Sequence, residues 1–186
     1  MQKNYKKTNM GNNISNKTLD ECEEYIYNIS SYEALAEITV TSNKNVNKYK
    51  VKQTCDKNKT IQEVIEPENI KGVIIKYEDN NLTIENTSLN LKKIYQDYPY
   101  VAENSMFLND FIKKYKELEE EKSSNCKVEK KDGNIIYKIE WDNKYKKNQQ
   151  LYFDENTGTP TKMIVEDDNQ KVLVYILYNE IKLNIF

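Results

Sequence analysis

Ser124-Asn125-Cys126-Lys127 has the spacing S-x-x-K, in which a lysine sits close enough to help a serine attack an acyl group. That chemistry also needs S-D-N and K-T-G partners and a helix that presents the serine. Neither tripeptide occurs in the chain, and the segment runs into an apolar/polar alternation that predicts a strand. Glu63, Glu66 and Glu68 are the next candidates, as a carboxylate pair or a calcium site. Period-two alternation predicts Glu63 and Glu66 on opposite faces of a strand, and no D-x-D-x-D-G loop is present. They read as solvated charges at a strand edge. Cys22, Cys55 and Cys126 are far apart, with no C-x-x-C spacing. They read as reduced, partly buried small side chains, or else as one disulfide with a leftover thiol.

The sequence has no His and no Arg, so all 28 basic residues are Lys. This removes the commonest general acid/base, the Ser-His and Cys-His nucleophile pairs and the usual zinc ligands. It also removes bidentate guanidinium recognition of phosphate. The formal net charge of −2 leaves no basic excess for nucleic acid. A non-enzymatic protein without a cofactor is the expectation.

Any such residue must be positioned by strands. Alternating segments at Ala34–Thr41, Tyr49–Cys55, Ile61–Glu66, Gly72–Glu78, Leu82–Glu85 and Leu89–Tyr95 predict an antiparallel meander with one dry and one wet face. Asp79-Asn80-Asn81 predicts a tight turn and Pro67 a bend or an edge. A Tyr-rich loop holds Tyr98, Pro99 and Tyr100. Five more strands are predicted at Cys126–Lys131, Asn134–Trp141, Gln149–Asp154, Thr161–Glu166 and Lys171–Tyr178, turning at Asp132-Gly133, Asn156-Thr157-Gly158 and Asp167-Asp168-Asn169.

Two helices are predicted. Thr18 with Glu21 forms a capping box, followed by Leu19, Cys22, Ile26 and Ile29 at helical spacing. Residues 105–121 place Phe107, Leu108, Phe111, Ile112, Tyr115 and Leu118 on one stripe, and their charge run on the wet face. About eleven antiparallel strands cannot stay flat. The expected fold is mainly β (α+β): a strongly curved, open half-barrel with both helices capping its concave face. The expected organisation is a disordered tether over 1–17 and a single domain over 18–186.

Ile135, Tyr137, Ile139 and Trp141 share a face and would line a cavity or form the core. Val172, Leu173, Val174, Tyr175, Ile176 and Leu177 are apolar on both faces of one strand, which demands cover from a helix, a swapped strand or a partner and makes it a candidate self-association strand. The 15 Tyr read as half-buried strand residues, with glycan stacking as the alternative. No apolar run reaches the roughly 18 residues of a membrane-spanning helix. The polar N-terminus lacks the apolar core of a signal peptide, as does the stretch that follows a cleavage or lipidation site.

Y-K-V-K-Q with E-P-E-N-I-K-G-V-I-I-K-Y, then F-L-N-D-F-I-K-K-Y, L-Y-F-D-E-N-T-G-T-P-T-K-M and Y-N-E-I-K-L-N, resemble in order and spacing the lipoprotein-carrier fold of the Lol carriers and RseB-type regulators. The likeness covers residues 30–186. Within that fold the chain most resembles the GerS-like germination lipoproteins of spore-forming clostridia. The resemblance implies an exported, lipid-anchored protein at the membrane of the developing spore. It implies a partner, a CwlD-type N-acetylmuramoyl-L-alanine amidase that carries the zinc and is activated by contact in cortex modification. The alternative it implies is a carrier holding acyl chains in the concave cavity. Lol carriers tie their helical lid with an arginine; with no Arg, that switch does not carry over.

Overall fold

The computed structural model describes residues 11–56, 59–79, 81–96, 107–144 and 146–185. Its elements run α1 (Leu19–Tyr27), β1 (Ile29–Thr41), β2 (Val46–Asp56), β3 (Lys59–Glu66), β4 (Val73–Glu78), β5 (Asn81–Asn86) and β6 (Leu91–Tyr95). After α2 (Leu108–Glu120) come β7 (Cys126–Lys131), β8 (Asn134–Glu140), β9 (Asn148–Asp154), β10 (Thr159–Glu166) and β11 (Val172–Ile185). All eleven strands form one antiparallel sheet in the order β6-β5-β4-β3-β2-β1-β11-β10-β9-β8-β7. The sheet does not close, and among the described residues β6 and β7 end it, as an open half-barrel requires.

This order has a simple logic. From β1 the chain meanders outward to β6, and α2 carries it across to the opposite edge. From β7 it meanders back until β11 lies beside β1. The two helices pack on the same face, over β1, β7 and β8. Alternate residues of each strand meet them there: Ala34, Ala36 and Ile38, then Val51, Ile135, Tyr137, Ile139, Leu151, Phe153, Met163 and Ile176 are all buried in one core. Thr18 caps α1 as expected, accepting from Glu21 N–H while the Glu21 carboxylate accepts from Thr18 N–H at 2.7 Å.

The structure departs from simple periodicity at four places. Ile29 has helical spacing, yet α1 stops at Tyr27 and Ile29 opens β1, where it pairs with Ile185. The ladder with β11 outweighs one more half-turn of helix. Second, β11 does not end at Tyr178 but runs to Ile185, because Asn179 is bulged out of register with β1. The extra residue reverses the alternation, so Ile181 and Leu183 follow Tyr178 onto the core face. Third, residues 11–17 fall within the expected tether, yet Ile14 is fully buried and its N–H donates to Glu155 O at 2.8 Å. Residues 1–10 lie outside the described residues, as do Asn80, Tyr98, Pro99 and Tyr100.

The fourth departure concerns the glutamates. Glu66 pairs with Lys50 and Val64 with Val51, so Ile65 is bulged. Lys50 and Lys52 share a face, hence Glu66 and Glu63 do too, contrary to simple alternation. They face lysines: Glu63 opposes Lys52, and Lys50 lies between Glu66 and Glu37.

Candidate functional site: core, outer face and open edges

The helix-covered face is filled by an aromatic chain. Tyr25 meets Phe153 edge-on at 6.5 Å, Phe153 meets Tyr137 at 5.6 Å, and Tyr137 meets Tyr115 at 5.6 Å. Tyr137 O–H donates to Cys22 O at 2.7 Å, and Tyr115 O–H donates to Glu23 Oε1 at 2.6 Å. Burial pushes both phenols far above the ordinary tyrosine range, with Glu23 adding to the effect at Tyr115. Ile135, Tyr137 and Ile139 thus stand in this packed core. Trp141 lies just past the end of β8, half-buried, with the Lys146 ammonium 3.8 Å from its ring centre.

Among the described residues the helix-covered side has a small cavity of about 230 Å³ lined by Tyr27, Ile29, Tyr32, Cys55, Asn109 and Ile112. It lies below the roughly 300–1,000 Å³ of typical ligand pockets. Beside it a polar chain is buried: Tyr32 O–H donates to Asn109 Oδ1, Asn109 Nδ2 to Thr60 Oγ1, and Thr60 O–H to Cys55 Sγ. Gln53 Nε2 donates to Gln62 Oε1 at 2.9 Å. These bonds tie β1, β2, β3 and α2 together without leaving a reactive group.

The residues with chemical potential do not form a catalytic set. Ser124, exposed in the turn before β7 and not on a helix, and Lys127 of β7 line the same shallow polar groove on the outer face, without a helix to present the serine. Glu68 pairs with Lys71 at 3.2 Å. All three cysteines are free; burial raises the thiol pKa of each, so at neutral pH they are thiols and poor nucleophiles. Among the described residues, no group of three or more Cys, Asp and Glu is placed to hold a metal ion, and no helix is long and apolar enough to cross a membrane.

Val172–Leu177 sits in the middle of the sheet, with β1 on one side and β10 on the other. Ile176 is in the core; Leu173 and Tyr175 are half-buried, and Val172 and Leu177 are exposed.

Sequence reading missed two features. The first is a strap over residues 11–17. Tyr25 hydroxyl accepts from Asn12 N–H at 3.1 Å and donates to Gly158 O at 2.8 Å, while Lys130 Nζ donates to Ser15 O and Lys17 O. Its one apolar residue, Ile14, is too slight a signal to find in a polar leader. The second is a wing of exposed apolar side chains at the β6 edge: Ile84, Leu89, Leu91 and Ile94. Its exposure depends on which strand ends the sheet, which periodicity does not tell.

Comparison with known proteins identifies the fold's relatives. No curated protein matches the sequence. Among solved structures, the chain is similar to one reported as the CwlD amidase from Clostridioides difficile in complex with the GerS lipoprotein, with 25% identity, TM-score 0.54 and 96% of each chain covered. An uncharacterized conserved protein from Thermus thermophilus has the same fold at 12% identity, TM-score 0.54, covering 90% of this chain and 86% of that one. A LolA superfamily protein from Nitrosomonas europaea aligns at 11% identity and TM-score 0.43, covering 90% and 92%. Residues 7–185 match the family described as sporulation protein YdcC-like, which spans almost the whole chain. The chain belongs to the YdcC-like family of sporulation proteins.

Proposed function

We propose that this chain is a non-catalytic regulatory lipoprotein that binds and activates a CwlD-type N-acetylmuramoyl-L-alanine amidase during cortex modification, in preparation for germination. The observation that carries this reading is the end-to-end likeness to the chain solved with the CwlD amidase. Membership of a sporulation family supports the setting. The zinc and the hydrolytic residues belong to the amidase; this chain supplies a surface. It acts outside the cytoplasm, held by a lipid anchor at the membrane of the developing spore.

The packing favours binding over carriage. An acyl carrier needs room on the concave face; among the described residues that face carries Tyr115, Tyr137, Phe153 and their neighbours, with a cavity of about 230 Å³ beside them. The test is co-purification with the host's own CwlD-type amidase, followed by its zinc content and activity with and without this chain. A stable complex with raised zinc retention or activity supports the proposal. No complex, or one that changes neither property, refutes activation. Bound amphiphile in native mass spectra of the purified chain would favour the carrier reading instead.

A further inference from the structure

Half of the large exposed apolar side chains among the described residues sit together at one edge. Ile84, Leu89, Leu91 and Ile94 belong to β5, β6 and the short turn between them, and the last three are more than half exposed. Among the described residues the helices pack elsewhere, over β1, β7 and β8. Pairing places Leu91 and Lys93 on the face shared with Asn86 and Ile84, and Lys92 and Ile94 on the face shared with Glu85 and Thr83. The edge strand therefore carries an apolar and a basic residue on each face, with Lys92 also paired to Glu85 at 2.9 Å and Lys93 lying over the Tyr95 ring. Among the described residues no strand lies beyond it, since β6 ends the sheet.

A free edge of this kind accepts an added strand, with main-chain bonds supplying affinity and flanking side chains supplying choice. The order Leu91-Lys92-Lys93-Ile94 dictates what pairs well. Opposite residues share a face and attract when charges are opposite. An added strand should thus read apolar–acidic–acidic–apolar. Because the β6 tetrapeptide has the same pattern in either direction, this holds for both strand polarities.

A second copy fits less well. In the fully overlapped antiparallel register Lys93 faces its own mate and in one adjacent register Lys92 faces Lys93, both repulsive, while the other adjacent register sets Lys92 against Tyr95 and Lys93 against Ile94 and gives neither lysine an opposite charge. The only two apolar–acidic–acidic–apolar tetrapeptides of this chain, Leu19-Asp20-Glu21-Cys22 and Cys22-Glu23-Glu24-Tyr25, overlap within helix α1 and are not free to extend. We infer that β6 is the docking edge for an extended segment of the amidase partner, one that carries adjacent acidic residues between apolar ones. This inference rests on the proposed partnership and adds the surface to it.

The test measures affinity for the host's CwlD-type amidase with three versions of the full chain. L91T/I94T keeps strand propensity while removing the exposed apolar groups, and K92E/K93E reverses the charge. Lys127→Glu, on the opposite edge strand β7, serves as control. Both β6 variants are expected to bind about tenfold more weakly or worse. The charge-reversed form should lose least at high salt, where the attraction it removes is already screened. The control should bind like the parent, and amide exchange of residues 91–95 should slow in the parent complex. Unaltered far-UV circular dichroism and melting show that a variant is folded. Parent-like binding by folded β6 variants, or no protection of β6, overturns this inference and leaves the proposed function standing. A parent chain that binds no amidase overturns both.

Discussion

Tyr137 is where the two structural layers meet: its ring lies between Phe153 and Tyr115, and its hydroxyl reaches the backbone of α1 at Cys22. Removing only the hydroxyl tests the bond without opening a cavity. Tyr137→Phe is expected to cost about 1 kcal/mol, and Tyr137→Ala about 3–5 kcal/mol, read from urea midpoints. The buried phenols also set an alkaline limit. Tyr32, Tyr115, Tyr137 and Tyr178 are all held above their ordinary value of 10, with desolvation the largest cause in each. A raised folded value means their contribution is whole below pH 10 and drains away as pH climbs toward it. Part of the phenolate absorbance should therefore appear late. These four buried phenols should ionise only above pH 10, together with cooperative unfolding. A single smooth titration of all tyrosines in a folded protein would contradict this.

At the scale of elements, alternation read the strands well because one face of the sheet is dry along most of its length. Tyr49, Val51, Gln53 and Cys55 do point inward, and Lys48, Lys50 and Lys52 outward, as their spacing says. The helices were legible for the same reason at a different period. Bulges were not: Ile65 and Asn179 carry no local mark, since an extra residue shows only against its partner strand. Asn179 has the larger effect. Deleting it should turn Ile181 and Leu183 out of the core and cost at least about 4 kcal/mol, seen as a large drop in melting temperature or insoluble expression. Replacing Asn179 by Ala, which keeps the count, should cost far less. The candidate docking edge was illegible for a related reason. Leu91 and Ile94 look like ordinary strand residues until the sheet order makes β6 an end.

The whole molecule is two meanders joined at β1 and β11, with unlike outer edges. β6 is apolar and basic, and β7 borders the packed helices. Self-association by exchange of β11 is a proposal that this topology makes demanding. β11 is held on both sides, so a second copy must rebuild ladders with both β1 and β10. A dimer mass by light scattering at tens of micromolar would support the exchange, and a monomer throughout that range would reject it.

That same central pairing governs when the protein can exist at all. Ile29 lies against Ile185, so the first strand waits for the eleventh, and no ribosome-bound chain can complete the sheet before β11 has emerged. Until then β1 has only one of its two neighbours, and the core side chains of β11, Ile176 through Leu183, are missing. A nascent chain of this design stays loose and threadable until β11 is made. For a protein proposed to work beyond a membrane, lateness of folding is itself an asset, because translocation accepts only what has not yet folded.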